Sequence, residues 1–170
     1  MASVLILIEN GYDELEFWYP RFRLLEAGHA VRIVGVEAGA TYESKRGIPA
    51  KADVGFGDHS IESAAGVVIP GGLAPDRLRL HREAVDLVAR MSRAGAVVAA
   101  ICHAGSLLVS ADVVRGRRLT SYASIRDDLT AAGADWVDEP VVVDGKLITS
   151  RTPWDLPRFL PAVLEALDHG

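Results

Sequence analysis

The sequence predicts an α/β protein whose mostly parallel sheet is covered by helices on both faces. Short apolar runs suited to buried strands alternate with segments of helical periodicity along all 170 residues. Glycine and proline punctuate the chain between these segments, and no internal repeat or linker-like stretch divides it. We therefore expect residues 1–170 to form one domain, which is large enough to bury a core without disulfides.

The first half of the chain alternates between the two patterns. Residues 3–8 are apolar, which suits a strand buried on both faces. Apolar residues then recur at helical spacing from Leu15 to Leu25 and end at Gly28, while Pro20 predicts a kink or two short helices. Further strands are predicted at residues 30–36 and 66–69, with short strands or a hairpin within residues 39–57.

The second half continues the alternation. Residues 83–93 carry an apolar face at helical spacing, and residues 96–101 form the most apolar strand pattern. Ser124 is a candidate cap for a helix over residues 125–132. Asp144-Gly145 is a strong hairpin signal. The remaining predictions are a helix over 106–114, a short strand at 119–122, hairpin strands at 136–143 and 146–150, and a terminal helix over 156–167.

The composition and charge of the chain exclude several classes of function. Its 18 basic and 23 acidic residues give a net charge of −5 without a basic run, so we expect no nucleic-acid partner. The longest apolar stretch, residues 94–102, is far shorter than the ~20 residues that span a membrane. No basic region opens the chain as in a signal peptide. We therefore expect a cytoplasmic protein without a membrane partner.

The sequence also points away from a bound metal or cofactor. His29, His59, His81 and His169 show no ligand spacing with one another or with Cys102. The glycine-rich fingerprints of dinucleotide and nucleotide loops are absent from the sequence as well. We therefore expect neither a metal nor a cofactor.

The single cysteine, Cys102, follows the most apolar strand pattern and precedes a predicted helix. One cysteine excludes an intramolecular disulfide and an all-cysteine metal site. The small residues around it suit the sharp strand-to-helix turn of a nucleophile elbow, where a helix N-terminus lowers the pKa of a thiol. A nucleophile is therefore favoured over a buried structural cysteine. His103 is a candidate base or backbone N–H donor.

Two more loops are expected at the carboxyl ends of strands, where binding and catalytic residues lie in such sheets. The glycines of Pro70-Gly71-Gly72 either let N–H groups approach a reacting carbonyl oxygen or form a plain tight turn. At the acidic start of the first helix, Asp13 and Glu14 suit capping. Glu16 is a candidate for a buried, protonated carboxyl that donates to the Cys102 thiolate.

At these residues the sequence resembles the ThiJ/PfpI superfamily, and within it the PfpI-type intracellular protease branch. The specific combination is a strand-end Cys102-His103, a Pro-Gly-Gly turn and an acidic helix start upstream. The similarity covers essentially the whole chain. The matching stretches are residues 11–16 with Tyr19-Pro20, 24–29, 67–72 with Ala74-Pro75, 101–104, 119–122, Asp127-Asp128, Gly133, 136–138, 141–145, and Ser150-Arg151 with Pro153 and Asp155.

The resemblance implies a flavodoxin-like α/β/α sandwich, of the class I glutamine-amidotransferase-like kind, with a small hairpin. It implies Cys102 as the nucleophile, Glu16 as the carboxyl group against its sulfur, and His103 as the base candidate. Backbone N–H groups of Gly71, Gly72 and His103 would then form the oxyanion hole.

The resemblance also implies a homodimer or a higher homo-oligomer. In the protease branch, an acidic residue of an adjacent subunit completes a Cys-His-acid triad. Asp76 stands at the matching position here, where the family pattern has glutamate, so its side chain has a shorter reach toward the adjacent subunit. Tyr122 and Arg151 match family positions near the site.

Three functions remain open at this point. The first is a cysteine-nucleophile enzyme that acts on small reactive carbonyls or their protein adducts, as glyoxalase III-like and deglycase members do in stress protection. The second is an oligomeric peptidase that cleaves peptides or proteins with Cys102, His103 and an intersubunit Asp76. The third is a redox-responsive or chaperone-like protein. Isocyanide-hydrating members have aspartate in place of Glu16 and threonine after the cysteine, which argues against that activity here.

Overall fold

Strands and helices alternate along the chain in the computed structural model, which describes residues 1–169. The described residues form eleven strands and six α-helices. In chain order these are β1 (Ser3–Leu7), α1 (Glu14–Glu26), β2 (Ala30–Gly35), β3 (Thr41–Glu43), β4 (Pro49–Lys51), β5 (Val54–Gly55), β6 (Gly66–Ile69), α2 (Ala74–Leu78), α3 (Arg82–Arg93), β7 (Val97–Ile101), α4 (Gly105–Ser110), β8 (Arg118–Leu119), α5 (Arg126–Ala131), β9 (Asp135–Trp136), β10 (Val141–Asp144), β11 (Leu147–Ser150) and α6 (Leu156–Asp168).

Seven strands form one sheet in the order β10-β11-β7-β6-β1-β2-β5. Every neighbouring pair is parallel except β10 and β11, which form the hairpin predicted at Asp144-Gly145. Apart from the two-residue edge strand β5, the parallel strands β1, β2, β6, β7 and β11 stand in the order 2-1-3-4-5 when they are counted along the chain, which is the flavodoxin-like order. The predicted fold class is therefore confirmed.

Each face of the sheet has its own apolar core, because successive side chains of a strand point to opposite faces. Leu5 and Leu7 of β1 belong to a core shared with α3, α4 and α5. Val4 and Ile6 belong to a second core shared with α1 and α6. The central strands therefore consist of consecutive apolar residues, as expected for strands that are covered on both sides.

Helix α1 differs from its prediction in two ways. It continues unbroken through Pro20, which is buried against the core. Its apolar stripe faces outward, since Leu15, Phe22 and Leu25 are 52%, 56% and 41% exposed. The buried face includes Glu16 instead. The stripe's spacing correctly indicates a helix, but it does not identify the side that packs on the sheet.

Smaller differences follow from local backbone geometry. The helix predicted over 106–114 ends at Ser110, because Asp112 adopts a left-handed conformation with φ of 53°. The strand predicted over 136–143 is divided into β9 and β10, with Pro140 between them. Ser124 caps no helix through its side chain; it lies in a 3-10 turn, Ala123–Ile125, that precedes α5.

Among residues 1–169, no helix is both long enough and apolar enough to cross a membrane.

Candidate active site

Three loops meet at the carboxyl edge of the sheet, where β1, β6 and β7 lie side by side. The register pairs Ile69 of β6 with Ala100 of β7, so the turn after β6 lies beside the turn after β7. An isolated bridge joins Tyr12, in the loop after β1, to Gly72. The strand order reverses between β1 and β6, and such a switch point opens a crevice for ligands.

Cys102 occupies the strained position of this edge. Its φ of 63° is left-handed, which is rare for a residue with a side chain and is typical of a nucleophile elbow. A 3-10 turn, Cys102–Ala104, leads directly into α4. The backbone N–H groups of Gly72 and His103 favour the ionised form of the Cys102 sulfur and so lower its pKa. The predicted strand-to-helix turn is therefore present.

Gly71 lies between the two groups that the sequence analysis pairs. A Cβ added there would fall 2.5 Å from Glu16 Oε2 and 2.7 Å from Cys102 Cβ, so the position admits only glycine. The Gly71 N–H donates to Glu16 Oε2 at 2.7 Å. Because that N–H already has a buried partner, Gly71 is less suited to the predicted role of oxyanion donor than its neighbours. Gly72 and His103 remain the candidate donors.

Glu16 is completely buried beneath the elbow. Burial and the negative charge of Asp13 raise its pKa to about 7, against the opposing effect of the Gly71 N–H. Its second oxygen, Oε1, is buried without a hydrogen-bond partner among the described residues. Near neutral pH this carboxyl is therefore partly protonated, which agrees with the raised pKa predicted for a buried Glu16.

The pKa of Cys102 moves in the direction opposite to the prediction. Burial and the charge of Glu16 raise it to about 12, and the N–H groups of His103 and Gly72 only partly offset this rise. The predicted lowering assumed an exposed helix N-terminus, whereas the sulfur lies in a buried turn next to a carboxyl. When Glu16 carries the proton, its repulsion of the thiolate is absent. The thiol and the carboxyl therefore titrate as a coupled pair.

The His103 side chain reaches the sulfur, a point that the sequence leaves open. Its Nδ1 lies 3.2 Å from Cys102 Sγ, and its Nε2 lies 3.1 Å from Ser124 Oγ. The ring stacks on Tyr122 with centroids 4.8 Å apart. Burial and the positive charge of Lys45 lower the pKa of His103. The ring is thus held neutral, with one nitrogen on the thiol and the other on a hydroxyl.

Two contacts of the site are missing from the sequence analysis. Ser124 touches His103 rather than capping a helix. Lys45, in the loop between β3 and β4, forms an ion pair of 2.8 Å with Asp13, and its charge lowers the pKa values of Glu16 and His103. No local sequence signal assigns either residue to the site, since both reach it only through tertiary structure.

The other predicted site residues lie around this centre. Asp76 lines a cavity of about 500 Å³ together with Gly72 and His103. Arg151 follows β11 at the same edge, where its guanidinium is paired with Asp138 at 2.7 Å and with Asp155 at 3.0 Å. Within residues 1–169, no group of three or more His, Cys, Asp or Glu side chains is arranged to hold a metal ion.

Fold and site together define a class of protein: an α/β sandwich that presents a cysteine on a strained turn at the switch point of its sheet. Comparison with known families agrees with this class. The chain belongs to the DJ-1/PfpI family, whose sequence profile matches residues 2–166.

Relatives and solved structures support the assignment. The chain is 42% identical over 165 residues to deglycase PfpI of Pyrococcus furiosus, which covers 97% of this chain and 99% of that protein. It is 39% identical over 171 residues to protein/nucleic acid deglycase 2 of Escherichia coli, covering 97% of each. The structure of DJ-1beta from Drosophila melanogaster matches with a TM-score of 0.88 and 29% identity, over 99% of this chain and 94% of that chain.

A two-domain protein from Anabaena variabilis, containing DJ-1/ThiJ/PfpI-like and ferritin-like domains, matches with a TM-score of 0.96 and 39% identity. The match covers 99% of this chain and 48% of that one.

Proposed function

We propose that this protein is a cysteine-dependent deglycase of the glyoxalase III type that removes reactive carbonyls or their protein adducts. Its role would be stress protection in the cytoplasm. Residues 1–170 would form the single domain that carries this activity. Relatives named as deglycases support the class of substrate. The observation that carries the mechanism is the Cys102 elbow, whose sulfur lies 3.2 Å from His103 Nδ1 beside the buried carboxyl of Glu16.

The first step is attack of the Cys102 thiolate on an aldehyde carbon. A C–S bond forms, the carbonyl oxygen takes up a proton, and a hemithioacetal results. The backbone N–H groups of Gly72 and His103, which favour negative charge on the sulfur, would also stabilise the charge that develops on that oxygen. In a protein adduct the same carbon is a hemiaminal carbon rather than a carbonyl, so the sulfur replaces the amine: the C–S bond forms as the C–N bond breaks, and the amine leaves with a proton.

Proton transfers complete the reaction. The former aldehyde carbon loses a proton and the neighbouring carbon gains one, through an enediol, which yields a thioester. His103 Nδ1 or the Glu16 carboxyl moves these protons. Water then cleaves the thioester and restores the thiol. For methylglyoxal the sum is one aldehyde and one water converted to lactate, so no oxidant or cofactor is required.

Lactate formation from methylglyoxal tests the proposal directly. We expect the wild-type protein to form lactate and Cys102→Ala to form it only at the uncatalysed rate. Cys102→Ser serves as the matched variant, because it keeps the shape of the side chain without the thiolate. Circular dichroism verifies that each variant is folded. Equal lactate formation by wild type and Cys102→Ala would refute the proposal.

A peptidase is the second candidate, and the position of Asp76 favours it. The Asp76 carboxyl is exposed and lines the same cavity as His103. In the protease branch, the acidic residue at the position of Asp76 completes the triad of an adjacent subunit. A substrate panel of methylglyoxal, glyoxal, a glycated peptide and casein separates the two. Cleavage of casein that requires Cys102, without turnover of the carbonyls, would establish the peptidase instead.

We also propose that the protein is a homodimer or a higher homo-oligomer. The outward stripe of α1 supports this proposal, since Leu15, Phe22 and Leu25 leave apolar surface in contact with solvent. Trp18 stacks on Phe22 with ring centroids 5.6 Å apart and contributes to the same surface.

A further inference from the structure

Two cavities lie on either side of Arg79, beside the candidate active site. The first, of about 500 Å³, is the cavity that His103 lines. The second, of about 470 Å³, is lined by Arg82 and Arg93 of α3 and by Ser110 of α4. Arg79 lines both cavities, so a ligand that occupies the first can extend past this side chain into the second.

Arg79 is held in place at the junction of the two cavities. It directly follows α2, where its backbone N–H donates to the Pro75 carbonyl at 3.1 Å. Its side-chain Nε donates to Ser110 Oγ at 2.9 Å. Among residues 1–169 its guanidinium makes no other hydrogen bond, so the two terminal nitrogens keep their N–H donors for a ligand. A guanidinium held in this way presents the paired donors that recognise a carboxylate.

The first cavity, next to the thiol, is acidic. Besides Arg79, its charged walls are the carboxyl groups of Asp76 and Asp128, while the ring of His103 is neutral because its pKa is lowered. A protein side chain that forms an adduct with a carbonyl is commonly a lysine amine or an arginine guanidine, and these groups are positively charged once the adduct is removed. The two carboxylates therefore suit the basic residue that the reaction releases.

The second cavity is basic. Arg82 is paired there with Asp86 at 3.2 Å. Within the described part of the chain, neither Arg79 nor Arg93 forms an ion pair. The cavity is therefore positive, although the whole chain has a net charge of −5. Such a local reversal of charge favours a group with negative charge.

We propose that the second cavity is a subsite for an acidic side chain of a peptide substrate, whose adducted residue lies in the first cavity beside Cys102. The inference rests on the proposed function, since it takes a protein adduct as the substrate, and it adds the kind of side chain that flanks the adduct. A nucleic acid fits less well, because a polyanion would also have to place phosphates beside Asp76 and Asp128.

The length of α4 sets the spacing between the two groups of the substrate. Ser106, which donates to the His103 carbonyl, lines the first cavity, and Ser110 lines the second. Four residues of an α-helix extend over about 6 Å, whereas an extended peptide advances about 3.3 Å per residue. The acidic side chain is therefore expected two or three residues from the residue that carries the adduct.

The subsite lies on the face of the sheet that is opposite to the apolar stripe of α1. Helices α3 and α4 share one apolar core with the sheet, and α1 shares the other. Self-association through the stripe would therefore leave the second cavity open to a substrate.

Binding of two unmodified peptides to Cys102→Ser tests the subsite without any turnover. Each fluorescently labelled peptide has a single arginine, and the second and third positions on both sides of it are glutamate in one peptide and glutamine in the other. By fluorescence anisotropy we expect the glutamate peptide to bind about fivefold more tightly, as exposed ion pairs permit. This preference should shrink as the salt concentration is raised.

Arg79→Gln and Arg93→Gln, each combined with Cys102→Ser, are expected to remove most of the preference for glutamate. Arg77→Gln in the same background is the matched control, because Arg77 is exposed on α2 and lines neither cavity. Circular dichroism verifies that each variant is folded. Equal affinity of Cys102→Ser for the two peptides would overturn the proposal, as would an equal loss of preference in Arg77→Gln and Arg79→Gln.

Peptide binding needs no thiol chemistry, so this proposal and the proposed function fail separately. A preference for glutamate without lactate formation by the wild-type protein would remove the deglycase and retain the subsite. Lactate formation together with equal binding of the two peptides would remove the subsite and retain the deglycase.

Discussion

At the scale of single residues, the chemistry of the site depends on how one proton is divided between a carboxyl and a thiol. Burial raises the pKa of Glu16 to about 7 and that of Cys102 to about 12. As the pH rises through 7, Glu16 ionises first, and its charge then disfavours the thiolate. Below that pH the carboxyl is neutral and exerts no such repulsion.

Glu16→Gln is therefore expected to speed alkylation of Cys102 above pH 7. Glutamine keeps an oxygen for the Gly71 N–H and remains uncharged, so the repulsion present in wild type at pH 8 disappears. We expect iodoacetamide to react about tenfold faster at pH 8 and at nearly the wild-type rate at pH 5. Lactate formation should fall, because the variant has no carboxyl proton to transfer. Identical alkylation at pH 8 would contradict this account.

The residues found from sequence and those missed differ in how they reach the site. Cys102 and Glu16 each lie at the end of a predicted strand or the start of a predicted helix, so local pattern and resemblance locate them. Lys45 lies in an irregular stretch, and tertiary contacts such as the bridge between Tyr12 and Ser44 bring it to the elbow. The pKa of Cys102 was predicted in the wrong direction because burial is a tertiary property.

At the scale of elements, a 3-10 turn orients the candidate base. The turn Ala123–Ile125 places Ser124 Oγ against His103 Nε2, and Tyr122 immediately before it stacks on the imidazole. The Tyr122 N–H also donates to the Cys102 carbonyl at 3.1 Å, which fastens the turn to the elbow. With Nε2–H donating to the hydroxyl, the Nδ1 lone pair faces the thiol.

Ser124→Ala is expected to lower kcat for lactate formation by about tenfold with little change in KM. The variant loses the hydrogen bond that orients the His103 ring for proton transfer. Ser124→Thr retains the hydroxyl and is expected to restore most of the rate. Ser106→Ala is the matched control, because Ser106 donates to the His103 carbonyl and not to its ring. Equal losses in Ser106→Ala and Ser124→Ala would refute a specific role for this turn.

Element type was more predictable than element orientation. The strands follow from runs such as residues 66–69, because a strand covered on both faces needs consecutive apolar side chains. In helix α1 the apolar spacing does not identify the buried face. Its spacing indicates a helix, yet the strongest stripe is not the one that meets the sheet, and Glu16 lies buried on the opposite side. Periodicity reports an apolar face without saying which partner covers it.

At the scale of the whole molecule, that stripe is the surface best suited to a second copy of the chain. It combines exposed Leu15 and Phe22 with Trp18, whose ring lies 5.7 Å from the Arg21 guanidinium. Aromatic and arginine side chains of this kind are enriched in the buried centres of protein interfaces. The stripe lies on the helix that carries Glu16, so association through it would stabilise the position of that helix at the site.

Phe22→Glu is therefore expected to weaken self-association. A carboxylate at the centre of the stripe would have to be buried without a partner, which opposes assembly much more than it affects the fold of a protomer. Analytical ultracentrifugation should show a smaller species than wild type at the same concentration, with an unchanged circular dichroism spectrum. Val36→Glu, which places the same charge at an exposed apolar position outside α1, should leave the wild-type species intact. If Phe22→Glu sediments as wild type does, the stripe on α1 is not an interface between copies of the chain.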